Sequence, residues 1–297
     1  MLGLIISLGI SVLISARSHP PRFDGVEAGR PAHSGSPAAR GLEERPQQKK
    51  SQTIEGNSFF IEEAYNQDPR FVHHTAGAFR YPKPEKDVFL SFGQEWPIGG
   101  RRHQLSYTIP YGLLNSGSVR GLGDIIVDYR YQLFDEDRWA AVSPRLSLIL
   151  PTGSTAKGLG DGVLGIQVGL PASRRISERI VVHANLGWTF LPRARWSRGD
   201  GSSIQRNLSS YYFGGSFIFL ASSKFNFMLE GLVDDQAEFN DAGAVLRRVE
   251  AFLSPGIRFA INIGRSQIVP GAAVPVTFSK PGIHLGMFLY LAFEHLY

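Results

Sequence analysis

A chain of 297 residues with no cysteine and a formal net charge of +5 excludes a disulfide framework, a thiolate metal centre and a cysteine nucleophile. Charged residues are only 19% of the chain, below the roughly 25% of an average soluble domain, while aromatics reach 11% and glycines number 33. That balance suits a wall with one face in lipid, and because the basic excess is scattered over the tail and loops, it argues against nucleic acid as a partner.

The chain opens on an apolar run, Leu2 to Ile14 (LGLIISLGISVLI). It has the length of a signal-peptide core and is shorter than the roughly 20 residues a transmembrane helix needs. Ala16 and Ser18 supply small residues at the two positions a signal peptidase reads, so residues 1–18 are expected to be a signal peptide. No Lys or Arg precedes the run; either the free amino terminus supplies the charge or the true start lies elsewhere. Residues 19–52 are rich in Pro, Gly, Ser, Arg and Glu and lack apolar periodicity. They cannot bury enough surface to offset ordering and are expected to be a disordered periplasmic spacer, too polar to serve as a plug.

From about residue 70 onward, apolar and polar residues alternate with period two, the pattern of strands whose two faces meet different solvents. In Asp124–Leu133, Ile125, Val127, Tyr129, Tyr131 and Leu133 oppose Asp124, Asp128, Arg130 and Gln132. Leu146 and Leu148 oppose Arg145 and Ser147; Val182, Leu186 and Trp188 oppose Arg179, His183 and Asn185. Further on, Phe227, Leu229 and Val233 oppose Asn226, Glu230 and Asp234, and Leu253, Ile257 and Phe259 oppose Glu250, Ser254 and Arg258. Only the first candidate strand, RFVHHTAGAFRY, has no clean parity. Short connections (98–101, 135–137, 172–177, 221–223, 262–266) alternate with long ones (114–120, 151–160, 192–206, 235–247). Short turns on one rim and long loops on the other are the arrangement of outer-membrane barrels, and closure leaves no backbone edge in lipid. The reading is all-β: a closed antiparallel transmembrane β-barrel of about 12 strands occupying residues 53–297 in the bacterial outer membrane. Leu285, Met287, Leu289, Leu291 and Phe293 alternate up to Tyr297, a final strand like those recognised by barrel-assembly machinery.

Four runs carry a family resemblance: Ser58–Gln67 (SFFIEEAYNQ), Gly121–Arg130 (GLGDIIVDYR), Pro144–Gly153 (PRLSLILPTG) and Gly158–Gly165 (GLGDGVLG). Together they resemble the MetA-pathway phenol degradation, or transporter, family of outer-membrane β-barrel proteins, over roughly residues 55–297. The resemblance implies a barrel with a role in uptake of small substrates, sometimes encoded beside aromatic-degradation genes, and no shared catalytic motif.

Other motifs have plainer readings. Gly160, Gly162 and Gly165 spell G-x-G-x-x-G, but strand alternation follows where a dinucleotide site needs a helix; small residues here make room or let a strand bend. Asp124 and Asp161 each follow Gly-Leu-Gly and read as turn residues accepting local hydrogen bonds, or as a rim cation site. His183 and Asn185 share a face and, with a serine, would begin a hydrolase site, yet parity turns them to the lumen. His73 and His74 are adjacent and face opposite ways. No cofactor or metal is expected.

The expected function is a channel for passive diffusion of small solutes, aromatic or anionic, past a charged constriction of Arg130, Arg145, Arg179, Arg258, Asp128 and Glu230. The partners are outer-membrane lipid and the solute. Phe288 and Tyr290 on the inner face of the last strand would narrow the bore. The alternatives are a non-transporting structural or adhesion barrel acting through its loops, and an embedded hydrolase using His183.

Overall fold

The computed structural model describes residues 54, 56–81, 86–197, 202–240, 242–264, 266–279 and 282–296. The expected signal peptide and spacer, and Tyr297, lie outside the described residues.

Seventeen strand segments join end to end into the twelve wall strands of a closed antiparallel barrel. In chain order these are β1 (Phe71–Arg80), β2 (Val88–Pro97), β3 (His103–Leu114), β4 (Val119–Leu122, then Ile125–Tyr131), β5 (Ala141–Val142, then Arg145–Leu150) and β6 (Gly165–Ser177). Then come β7 (Ile180–Ser197), β8 (Ser203–Ser222), β9 (Phe225–Phe239), β10 (Val245–Phe259, then Ile261–Ile263), β11 (Ser266–Ala273, then Val276–Ser279) and β12 (Gly282–Leu285, then Met287–Leu296). Each strand pairs with its sequence neighbour, and β1 closes the cylinder on β12 from Phe71 opposite Leu296 to Arg80 opposite Met287. Pro144 and Pro275 fall in the breaks of β5 and β11, where a residue without an N–H removes no ladder bond.

Alternation sets the two faces. On β8, Tyr211, Phe213, Phe217 and Phe219 are exposed, whereas Tyr212, Ser216 and Ile218 are buried inside. The same division runs along β9: Phe227, Leu229 and Val233 face out, and Asn226, Glu230 and Asp234 face in. On β12, Leu285, Met287, Leu289, Leu291 and Phe293 face out and Phe288 and Glu294 face in. The outer apolar band is a surface for hydrocarbon. The first strand lacks a clean sequence parity because its inward positions, His73, Thr75, Gly77 and Phe79, mix small, polar and aromatic side chains.

The wall begins at Phe71, where the alternating pattern of the sequence begins, and the described residues before it are not strands of the barrel. Residue 54 and residues 56–70 instead form a strap inside it. Ile54 N–H donates to Ser223 O at the β8–β9 turn, 2.7 Å away. At the other end Asp68 pairs with Arg101 of the β2–β3 turn at 3.1 Å. Both ends therefore stand at the short-turn rim, the periplasmic one in outer-membrane barrels, and the strap is a loop that rises into the lumen and returns.

An arginine in the outward band at Leu229 meets hydrocarbon rather than water. Leu229→Arg is expected to destabilise the bilayer-folded barrel by about 2–4 kcal/mol, read by denaturant unfolding in lipid vesicles.

Candidate functional site

The strap has no strand partner, so its backbone must find hydrogen bonds elsewhere or leave buried polar groups unpaired. Inward side chains of the wall provide them. The N–H groups of Phe59, Phe60 and Ile61 all donate to Glu230 Oε1, at 3.1, 2.7 and 3.0 Å. Glu62 N–H donates to Asn185 Oδ1 and Ala64 N–H to Ser173 Oγ, each at 2.7 Å. Asn66 N–H reaches Gln132 Oε1 at 2.9 Å, and Gln67 N–H reaches Gln104 Oε1 at 2.7 Å. The strap carbonyls are met as well. Arg130 donates to Glu63 O and Tyr65 O at 2.9 Å each, and to Asn66 Oδ1. Ser143 Oγ donates to Ala64 O, Asn185 Nδ2 to Glu62 O, and His183 Nε2 to Gly56 O.

The apex is aromatic. Phe60 packs with Phe288 and Phe252 at ring-centroid distances of 4.7 and 5.1 Å, and Phe59 lies 5.0 Å from Tyr290. Glycines of the wall give Phe59 its socket: a Cβ on Gly256 or Gly271 would stand 2.8 or 2.6 Å from its ring. The apolar cluster continues outward through Phe79, Tyr81, Phe89, Leu114 and Leu159.

The strap is fastened mainly to the β4–β9 side. Between it and the β1–β3 side lies a cavity of about 130 Å³, lined by Thr75, Gly77, Ser91, Gly93, Ser106 and Thr108 among others. A second cavity, about 210 Å³, opens between the strap and Arg101, Glu136 and Arg175 at the short-turn rim. Asn57 and Glu63 border both cavities and are joined across the strap by Asn57 Nδ2 donating to Glu63 Oε1 at 3.1 Å. Four carboxylates, of Glu62, Glu63, Glu95 and Asp128, line the inner cavity against one arginine, Arg145, and one histidine, His73.

The residues expected at a constriction separate into different places. Arg130, Arg145, Asp128, Glu230 and Arg258 are inward and buried. Arg145 pairs with Glu62 at 2.6 Å and with Asp128 at 3.8 Å. Arg258 lines a small cavity with Asn57 and Tyr290. Arg179 is not in the lumen: it sits in the two-residue turn between β6 and β7, exposed, because the strand parity that placed it inside ends at Ile180. Sequence reasoning turned Gln104, Gln132 and Ser143 inward without giving them a role, and it placed Ser173 in the 172–177 turn, whereas Ser173 lies within β6. Amides and hydroxyls recurring on the inward face were their signal, since such groups can satisfy a backbone.

Ser173 also completes a contact with His183: its Oγ lies 2.6 Å from Nδ1. The hydroxyl accepts Ala64 N–H, so its proton points to Nδ1, while Nε2 donates to Gly56 O at 2.5 Å. Both ring nitrogens are thereby engaged in fastening.

The outer mouth has its own clamp. Asp124, at the break in β4, accepts Gly153 N–H at 2.7 Å and Asp161 N–H at 2.9 Å. A Cβ on Gly160 would collide with Asp124 Oδ1, so the repeated Gly-Leu-Gly-Asp brings loop backbone onto a carboxylate. The loop 151–164 then carries Leu159 into the apolar cluster. Burial beside Asp124 pushes Asp161 up to about 7.

No family model matches this chain, and no curated protein matches it. Among solved structures, an outer-membrane channel from Pseudomonas putida F1 aligns over 79% of this chain and 98% of its own, with 10% identity and a TM-score of 0.57. The NanC porin aligns over 76% of this chain and 99% of its own, with 9% identity and a TM-score of 0.50.

Two outcomes are expected. Glu230→Ala leaves three strap N–H groups without their acceptor, each costing about 1–3 kcal/mol when buried. The chain has no cysteine, so a Ser58→Cys reporter should be labelled by a maleimide much faster in the Glu230→Ala background. For the loop, the folded-state value of Asp161 lies above the ordinary 3.8. The stability linked to its buried carboxyl is complete below that value and is lost as pH rises through about 7. Loop 151–164 should resist proteolysis better at about pH 5 than at about pH 8, and Asp161→Asn should flatten that dependence. The likeness to solved structures is one of fold: this chain folds as a closed antiparallel β-barrel of the outer-membrane kind.

Proposed function

We propose that the protein is a narrow passive channel of the bacterial outer membrane, in which small solutes pass beside the strap. The carrying observation is the pair of cavities that meet at Asn57 and Glu63, the inner one lying against wall glycines and hydroxyls. Movement is diffusion down a gradient, and the strap sets the bore. The acidic majority around the inner cavity favours cations and neutral solutes over the anions expected from the sequence, because Arg130 and Arg145 are occupied in holding the strap and its Glu62. The aromatic apex suits small aromatic bodies.

Kinship with the MetA-pathway phenol degradation family is supported by what its motif-like runs do here: SFFIEEAYNQ is the strap, and GLGD with PTG is the outer clamp. We read the Ser173–His183 pair as part of the fastening rather than as a hydrolase centre. The amphipathic β12 is the segment we assign to recognition by barrel-assembly machinery, and Arg258, Asp128 and Glu230 act here by positioning the strap. One observation favours a non-transporting barrel as second reading: strap and apolar cluster together fill much of the lumen.

Single-channel conductance in planar bilayers decides between them. Small discrete steps with a cation-preferring reversal potential are expected, and deletion of residues 54–67 should raise conductance several-fold. Silence from folded, heat-modifiable protein in both forms would replace the channel by the structural barrel.

A further inference from the structure

Above the apolar cluster, the inner face carries a half-ring of polar groups that the strap does not use. Asp234 on β9 stands directly opposite Glu250 on β10, and each is 2% exposed. Like charges directly opposite across an antiparallel pair repel, and buried carboxylates need a counter-charge. The wall supplies little. Gln236 Nε2 donates to Asp234 Oδ2 at 2.5 Å. Arg248 approaches Glu250 only to 3.8 Å and lies 2.7 Å from Glu238.

The adjoining strands continue the ring with acceptors. Thr277 on β11 pairs with Phe252 of β10 and with His284 of β12, and Tyr81 OH lies 3.5 Å from Thr277 Oγ1. Among the described residues, both carboxylate oxygens of Glu250, Ser279 Oγ and His284 Nε2 are buried with no hydrogen-bond partner. Native interiors leave few such atoms; here four gather on three neighbouring strands. Directly beneath, two residues along on the same face, stand Leu232 and Phe252 of the apolar cluster.

We infer that Asp234, Glu250, Ser279 and His284 form a binding site for a primary ammonium carried on a small apolar or aromatic body, at the outer side of the lumen. An ammonium is three donors with no acceptor, the complement of a carboxylate pair, a hydroxyl and an imidazole nitrogen. Its charge offsets the Asp234–Glu250 repulsion, and its body rests on the Phe252 floor, where an aromatic face also attracts the cation. No three acidic or imidazole side chains among the described residues converge as metal ligands, so the ring offers charge and acceptors rather than a coordination shell. The inference rests on the channel reading for its physiological sense, and its binding step stands independently of it.

The test is calorimetric titration of full-length, detergent-folded protein with three probes that share one body: phenethylammonium, phenethyl alcohol and phenylacetate. Saturable binding of the ammonium alone is expected, weakened at least about tenfold by Glu250→Gln and by Asp234→Asn. Asp235→Asn removes the same charge from the exposed pair with Arg247 on the outer face and should leave binding unchanged. Should Glu250→Gln fail to fold, Asp234→Asn and His284→Leu carry the comparison. Equal affinity for all three probes, no binding, or ammonium binding indifferent to these lumen substitutions would overturn the site. Binding without conductance would keep the site and remove the channel reading.

Discussion

A backbone inside a barrel lumen has no neighbouring strand and no bulk water, and the rest of this structure follows from that constraint. Glu230 answers it at the apex: one fully buried carboxylate oxygen receives three successive N–H groups. Three convergent donors on one oxygen give this buried carboxyl group part of the hydrogen bonding that burial demands. Glu230 thus fixes the turn of the strap where its aromatic residues enter their sockets. Arg130 performs the converse service, bringing a planar set of donors to two strap carbonyls and an amide. Inward side chains of the wall take the place of a strand ladder, and irregular backbone is tolerated at membrane depth because protein surrounds it.

This arrangement gives the lumen a handedness of function. The side that binds the strap is crowded with amides, hydroxyls and paired charges. The opposite side, β1 to β3, is furnished with glycine, serine and threonine, and the inner cavity lies against it. The space in the inner cavity is eccentric, with the strap as one of its flanks.

The barrel itself was legible in the sequence because lipid outside and protein or water inside impose opposite demands on successive residues. Leu229 and Glu230 could not exchange faces. Loop lengths were legible only in part: 151–164 is long as expected, but most of 192–206 and 235–247 is strand and the 172–177 turn is 178–179, while the connection 132–140 on the short-turn rim is long. The strap was not legible from alternation. Its residues satisfy their backbone through side chains distant in sequence, Glu230 for Phe60 and Gln104 for Gln67, so no local period records it. Inward Arg130 and Arg145 looked like pore charges since pairing with a strap and lining a channel place the same demand on the wall sequence. Arg179 was misplaced because alternation extrapolated one residue beyond a strand end crosses into the turn. The Gly-Leu-Gly-Asp clamp was half legible: a carboxylate accepting local N–H groups follows from the residue types, whereas the meeting of Asp124 with Gly153 and Asp161 needed the fold.

Both ends of the strap stand at the same rim, Ile54 beside Ser223 and Asp68 beside Arg101. A segment with that topology is an unthreaded bight, like a rope pushed into a tube by its middle. No chain end has to pass through the cylinder, and no wall seam has to part, for it to seat or to leave. The cylinder can therefore zip shut between β1 and β12 before its stopper is in place, and the order of those two events is left free by geometry.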